Sequence, residues 1–107
     1  MLALLFPGQG SQTPGMLAPW LNEESRKTVA KGSLHIDLDL ERLGTIASAD
    51  EIKDTANAQP LIVAAGLLGA SALGLSKFAV VSGHSVGEIT AAAISKVLSP
   101  AHALELV

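Results

Sequence analysis

The sequence contains no cysteine and very few aromatic residues, and each shortage excludes a class of protein. Its 107 residues include one tryptophan, two phenylalanines and no tyrosine. Without cysteine there is no disulfide framework, no thiolate nucleophile and no cysteine metal site. The residues that are present are 49% hydrophobic and rich in alanine and leucine. This composition favours closely packed helices on a sheet over an aromatic-rich β-sandwich.

Charge and hydropathy exclude two further classes. The formal net charge is −3, so the chain lacks the basic footprint of a nucleic-acid-binding protein. The longest apolar run, residues 61–75, is shorter than the ~20 residues that a membrane-spanning helix needs. We therefore expect a buried helix there, with neither a membrane nor a nucleic acid as partner. No histidine or carboxylate cluster has the spacing of a metal site.

The strongest local signal is a Gly-x-Ser-x-Gly motif at residues 83–87, preceded by an apolar run at 78–81 and followed by an alanine-rich stretch. This order is typical of a nucleophile elbow, a sharp strand-to-helix turn that presents a serine. Ser85 is the candidate nucleophile. The N–H of Val86, at the start of the helix, is a candidate oxyanion donor, because the positive end of a helix stabilises developing negative charge.

A second candidate site is the loop Gly8–Gln12, which follows a predicted buried strand at residues 2–6. Loops at the carboxyl ends of strands are where α/β sheets bind ligands. If the two strands are parallel neighbours, an N–H near Gln9 becomes a second oxyanion donor. The alternatives are a phosphate-binding loop, which lacks the required glycine spacing and Walker lysine, and a plain glycine-rich turn.

None of the three histidines is placed by the sequence as a base for the serine. His84 adjoins Ser85, and neighbouring side chains on an extended backbone diverge, so a structural role is favoured. His35 and His102 are expected at the surface. Glu88, in the first turn of the predicted helix, complements the helix dipole.

The sequence pattern predicts strands that alternate with helices along the chain. Alternating leucine and isoleucine over 34–40 favours a strand or extended segment. Ser48 and Glu51 form a capping-box pattern, and Pro60 suits the first position of a helix. The predicted elements are a helix at 16–31, the extended segment at 34–40, helices at 49–56 and 60–74, a strand at 78–82, a helix at 86–96, and a last helix opening at Ser99-Pro100.

Three motifs, in this order, resemble malonyl-CoA:acyl carrier protein transacylase. They are residues 6–12 (FPGQGSQ), Gln59-Pro60 and residues 83–88 (GHSVGE). The resemblance runs along essentially the whole chain and covers about a third of that family's catalytic domain. It implies an α/β-hydrolase-like parallel sheet flanked by helices, with a nucleophile elbow. Residues 1–107 would be the amino-terminal part of the large subdomain, and the small ferredoxin-like subdomain would be absent.

By the same resemblance, Ser85 carries the acyl group, Gln9 and Val86 supply oxyanion-hole N–H groups, and Gln59 lines the site. The implied reaction moves a malonyl group from CoA to acyl carrier protein through a serine ester in fatty-acid synthesis. It implies a cytoplasmic enzyme without a cofactor. The family's general-base histidine and malonate-binding arginine have no counterpart here, so we expect the 107-residue chain alone to be inactive.

Two other functions stay open from the sequence. One is a serine esterase or lipase, although the His-Gly-Gly-type oxyanion loop of such enzymes is absent. The other is a truncated product that performs no chemistry.

Overall fold

A computed structural model describes residues 2–74 and 80–107. The described part contains two strands, β1 and β2, and six α-helices, α1 to α6, with one turn of 3₁₀ helix between β1 and α1. In chain order these elements are β1 (Ala3–Phe6), the 3₁₀ turn (Ala18–Trp20), α1 (Glu23–Ile36), α2 (Leu40–Thr45), α3 (Ala49–Lys53), α4 (Thr55–Leu73), β2 (Val80–Gly83), α5 (Gly87–Ile94) and α6 (Pro100–Leu106).

The two strands are parallel neighbours, as predicted. Ala3 pairs with Val80 and Phe6 with Gly83, so both strands end at the same edge of the sheet. The predicted strand at 78–82 is thus confirmed in its second half. Its first two residues, and the tight connection expected between 75 and 78, lie outside the described residues. A parallel sheet with helices makes the chain an α/β structure.

Helix α4 is the central element of the core, and it begins earlier than predicted. The Asp54 carboxylate accepts a hydrogen bond from the N–H of Ala56 and caps the helix. Pro60 therefore lies inside the helix, and its predicted place at the first position is wrong. Gly74, at φ 62°, ends the helix in the left-handed conformation, as expected for a C-terminal glycine.

The long apolar helix α4 fits either a membrane span or a buried core helix, and its packing distinguishes the two. By length and composition alone this helix could also cross a membrane. In the structure, Leu61, Ile62 and Val63 are at most 2% exposed and join the core cluster with residues of α1, α2, α5 and α6. Burying a side chain of this size is worth about 1.5–3 kcal/mol.

The extended segment predicted over 34–40 is wrong. Helix α1 continues to Ile36, Asp37 adopts a left-handed φ of 54°, and α2 begins at Leu40. The apolar residues of the alternation are thus divided between the end of α1, a short connection and the start of α2. The predicted helix at 16–31 is likewise replaced by the 3₁₀ turn and α1, since Asn22 and Ser25 form a reciprocal capping box that starts α1 at Glu23.

The remaining helices begin within a residue of their predicted starts. The predicted end of the helix at 49–56 is wrong, because α3 ends at Lys53 and Asp54 is extended. Ser48 accepts a hydrogen bond of 3.2 Å from the N–H of Glu51, which caps α3. The reciprocal half of the predicted capping box is wrong, because the Glu51 carboxylate instead binds Arg42 through two hydrogen bonds. Ser99 caps α6 through the N–H of His102.

The two faces of the sheet differ in exposure. Phe6 is 8% exposed and lies beneath α4, near Gly66. The opposite face exposes Leu5 at 76% and Val80 at 49%.

Candidate active site

Ser85 lies in the turn between β2 and α5, with a backbone φ of +56°. A non-glycine residue in this left-handed region is uncommon and indicates that the surrounding structure imposes the conformation. Ser85 itself is exposed, whereas the next residue, Val86, is buried at 5% exposure. The turn therefore exposes Ser85 to solvent directly before a buried residue.

The two glycines of the motif are required by close packing. A Cβ at Gly83 would overlap the backbone of Gly87, and a Cβ at Gly87 would overlap the carbonyl oxygen of Phe6. Real Cβ atoms do not make such contacts, so both positions need glycine. The Gly-x-Ser-x-Gly spacing thus lets the start of α5 lie directly on the ends of both strands.

The loop after β1 lies against the Ser85 turn. The N–H of His84 donates a hydrogen bond of 3.0 Å to the carbonyl of Phe6. A Cβ at Gly8 would lie 2.5 Å from the carbonyl oxygen of His84 and 3.2 Å from the Cβ of Ser85. The two loops singled out from the sequence are therefore in contact at the carboxyl edge of the sheet.

Several backbone N–H groups in these two loops have hydrogen-bond partners. The N–H groups of Gly87 and Glu88 bond to the carbonyls of His84 and Ser85. In the other loop, the N–H of Gly10 donates to Gln12 and that of Ser11 donates to Gly8.

The side chain of Gln9 is held by two residues of α4. Its Nε2 donates a hydrogen bond of 2.9 Å to Thr55 Oγ1. Its Oε1 accepts one of 3.3 Å from Gln59 Nε2. The structure thus brings the predicted residues Gln9 and Gln59 together. The structure also brings Thr55 to this cluster. The sequence pattern places Thr55 in the predicted helix at 49–56 and Gln59 just before the predicted helix at 60–74. The four-residue spacing of Thr55 and Gln59 was the available signal, because it puts both on one helix face.

The histidines lie at the surface. His84 and His102 are exposed. His35 Nε2 lies 2.7 Å from Glu105 Oε1, so it joins the end of α1 to α6 rather than pointing freely into solvent. Glu88 is exposed in the first turn of α5. Within residues 2–74 and 80–107, no group of three histidine, aspartate or glutamate side chains could hold a metal ion.

Fold and site together define the class as an α/β structure in which two parallel strands end beside an exposed serine. No family model matches the chain. Over 99% of its length, however, the chain is 54% identical to the malonyl CoA-acyl carrier protein transacylase of Mycobacterium tuberculosis. It is 35% identical to the Escherichia coli enzyme of the same name over 98% of its length. The resemblance predicted from the three motifs is confirmed.

Solved structures give the same result. The crystal structure of MCAT from M. tuberculosis superposes with a TM-score of 0.93 at 54% identity, over 99% of this chain and 37% of that one. An acyl carrier protein S-malonyltransferase from Vibrio cholerae gives 0.87 at 34% identity, over 99% and 36%. The chain therefore spans little more than a third of the proteins that it matches.

Proposed function

We propose that this chain is the nucleophile-bearing part of a malonyl-CoA:acyl carrier protein transacylase. The observation that carries the proposal is the exposed Ser85 at φ +56° in a chain 54% identical to such an enzyme. The chain spans 37% of that relative, so the proposal concerns this part of such an enzyme. In the proposed assignment, residues 1–107 are the amino-terminal part of an α/β-hydrolase-like large subdomain, without the small ferredoxin-like one.

The turn at Ser85 has the properties of a nucleophile elbow. The positive φ of Ser85 and the close approaches at Gly83 and Gly87 support this assignment, because the chain turns sharply there from β2 into α5. In such a turn the hydroxyl is exposed where an acyl carbonyl can reach it.

Two backbone N–H groups are proposed as oxyanion donors. Among the described hydrogen bonds of the turn and the loop, the N–H groups of Gly10 and Gly87 have acceptors, whereas those of Val86 and Gln9, like that of Ser85, have none. Val86 opens α5, whose positive end adds a favourable field. One such donor is worth about 10²–10³ in kcat in comparable enzymes. Gln59, which contacts Gln9, would line the same site.

The proposed reaction proceeds in two transfers. Ser85 Oγ loses its proton to a base and attacks the malonyl thioester carbonyl. The carbon–sulfur bond breaks, and CoA leaves as its thiol. The thiol of acyl carrier protein then attacks the serine ester, and Ser85 recovers its proton. A solved relative with a TM-score of 0.83 and 31% identity is a malonyl-transacylase in complex with a type II PKS acyl-carrier protein.

The proposal includes the setting of the enzyme. It acts in the cytoplasm on malonyl-CoA and acyl carrier protein, uses no cofactor, and needs neither a membrane nor a nucleic acid. The proposal assigns neither the base nor the group that binds the malonate carboxylate to a residue of this chain.

The test uses a chimera in which this chain replaces the stretch of the M. tuberculosis relative with which it aligns. We expect the chimera to transfer malonyl from CoA to acyl carrier protein. Ser85→Ala should abolish transfer. Ser82→Ala, at another exposed serine three residues earlier, should leave it unchanged and is the matched control.

Two results would count against the proposal. An unimpaired Ser85→Ala chimera would show that another group carries the acyl chain. A chimera that hydrolyses simple esters faster than it transfers malonyl to the carrier protein would favour the esterase alternative.

A further inference from the structure

The geometry points to Thr55 as a positioning residue that fixes the Gln9 loop for catalysis. This inference rests on the proposed function, because it concerns the loop whose N–H is the proposed oxyanion donor. Thr55 is the first residue of α4, and its hydroxyl accepts a hydrogen bond of 2.9 Å from the side-chain amide of Gln9, 46 residues away in sequence.

Thr55 and Gln59 hold Gln9 from one helix face. They lie four residues apart on α4, the spacing at which helical side chains are neighbours. Gln59 donates to the oxygen of the Gln9 amide, so the nitrogen of the same amide must face an acceptor. Thr55 Oγ1 is that acceptor, which fixes the orientation of the Gln9 amide as well as its place.

Gly8 packs against the Ser85 turn, but the other hydrogen bonds of residues 8–12 do not connect Gln9 to another element. Gly10 bonds to Gln12, and both the N–H and the hydroxyl of Ser11 bond to the carbonyl of Gly8. These bonds give the loop its shape, but they all lie within it. The Gln9 amide is the contact that ties this loop to α4, which is anchored in the core through Leu61 and Val63.

If the Thr55 contact is lost, the loop becomes less well ordered, and the effect on catalysis depends on the step at which the Gln9 N–H acts. An oxyanion donor acts in the transition state and must be in place before the charge develops. A misplaced Gln9 N–H would therefore lower kcat and leave the KM for malonyl-CoA nearly unchanged. Losing one hydrogen bond of this type corresponds to a fall in rate of about threefold to tenfold.

The experiment compares three substitutions in the chimera. Thr55→Val removes the acceptor and keeps the shape of the side chain. Thr55→Ser keeps the acceptor. Thr28→Val, at an exposed threonine in α1, is the matched control. In Thr55→Val we expect kcat to fall about threefold to tenfold, while the KM stays close to that of the unmodified chimera. In Thr55→Ser and Thr28→Val, both kcat and the KM should stay close to those of the unmodified chimera.

A double-mutant cycle tests whether Thr55 acts on catalysis through the side chain of Gln9. If Thr55 acts through the Gln9 side chain, Thr55→Val should lower kcat no further in a Gln9→Ala background. An equal loss in both backgrounds, a change confined to the KM, or the same loss in Thr28→Val would overturn the assignment.

Hydrogen–deuterium exchange separates this inference from the proposed function, because it requires no activity. Thr55→Val should speed exchange of the backbone N–H groups of residues 8–12, and Thr55→Ser should not. Unchanged exchange in Thr55→Val would overturn the role of Thr55 even if malonyl transfer proceeds. Absent malonyl loading with faster exchange would overturn the function while leaving the anchoring contact established.

Discussion

The N–H of His84 donates a hydrogen bond of 3.0 Å to the carbonyl of Phe6, which ties the residue before Ser85 to the last residue of β1. The bond continues the parallel pairing of the two strands by one step beyond Gly83. It also brings Gly8 against the Ser85 turn. The site is therefore built directly on the ends of the two strands.

The space around two glycines predicts opposite effects of glycine-to-alanine changes on the free energy of unfolding. In the chimera, Gly87→Ala should lower the free energy of unfolding by about 1–3 kcal/mol or more, because its Cβ would overlap the Phe6 carbonyl. Gly69→Ala should raise it by about 0.5–1 kcal/mol, because it lies inside α4 with no atom nearer than 4.0 Å. Urea denaturation measures both, and equal effects would contradict the packing described.

Thr90 gives a second prediction. Its side chain is fully buried, and its hydroxyl has no hydrogen-bond partner among the described residues. Thr90→Val replaces that hydroxyl with a methyl group and should be neutral or stabilising by up to about 1 kcal/mol. Thr90→Ala should destabilise, since it also removes the methyl group packed near Gly66. A Thr90→Val variant less stable than Thr90→Ala would show that the hydroxyl is bonded.

The pair of Arg42 and Glu51 predicts a dependence of stability on pH. The hydrogen-bonded Arg42 guanidinium holds the pKa of the Glu51 carboxyl below its ordinary value of 4.5. The pair therefore contributes fully above that value, and its contribution is lost as the pH falls through the lower pKa of the folded state. Because both groups are exposed, the effect should be small.

The check is the difference in Tm between the chimera and its Glu51→Gln variant. The difference should shrink as the pH is lowered from about 7 to about 3. A difference that grows toward acid would contradict the direction of the shift.

The bare face of the sheet predicts dye binding. In the 107-residue chain on its own, Leu5 is 76% exposed beside the partly exposed Val80, and such neighbouring apolar groups bind hydrophobic dyes. Leu5→Ser should lower the fluorescence of a bound dye. Leu34→Ser, at a leucine of α1 that is 85% exposed, is the matched control and should change it little. Equal effects of the two changes would contradict a binding face at the sheet.

The sequence predicted the Ser85 turn because the strand, the motif and the helix that form it are adjacent in the chain. The parallel sheet followed from the family resemblance, since its strands are distant in sequence and Ala3 pairs with Val80. Gly83 is needed by a contact with Gly87 inside the same motif, whereas Gly87 is needed by its contact with Phe6 at the end of β1. Gly74 ends its helix by local backbone geometry. The start of α4 was misplaced because Pro60 suggested a helix boundary, whereas the Asp54 cap begins the helix five residues earlier, at Thr55.

Contacts between distant parts of the chain were out of reach of the sequence patterns. The alternation over 34–40 was indistinguishable from a strand until Asp37 and the Asp39 cap showed a reversal between two helices. The bond between Gln9 and Thr55 spans 46 residues, and only the folded arrangement of β1 and α4 brings them together.

The measurement that tests the central claim most directly is peptide mapping of the chimera after brief exposure to malonyl-CoA without carrier protein. The account predicts a malonyl ester on the peptide that contains Ser85, and its loss when acyl carrier protein is added. A malonyl group on any other residue, or a Ser85→Ala chimera that still forms the covalent adduct, would contradict it.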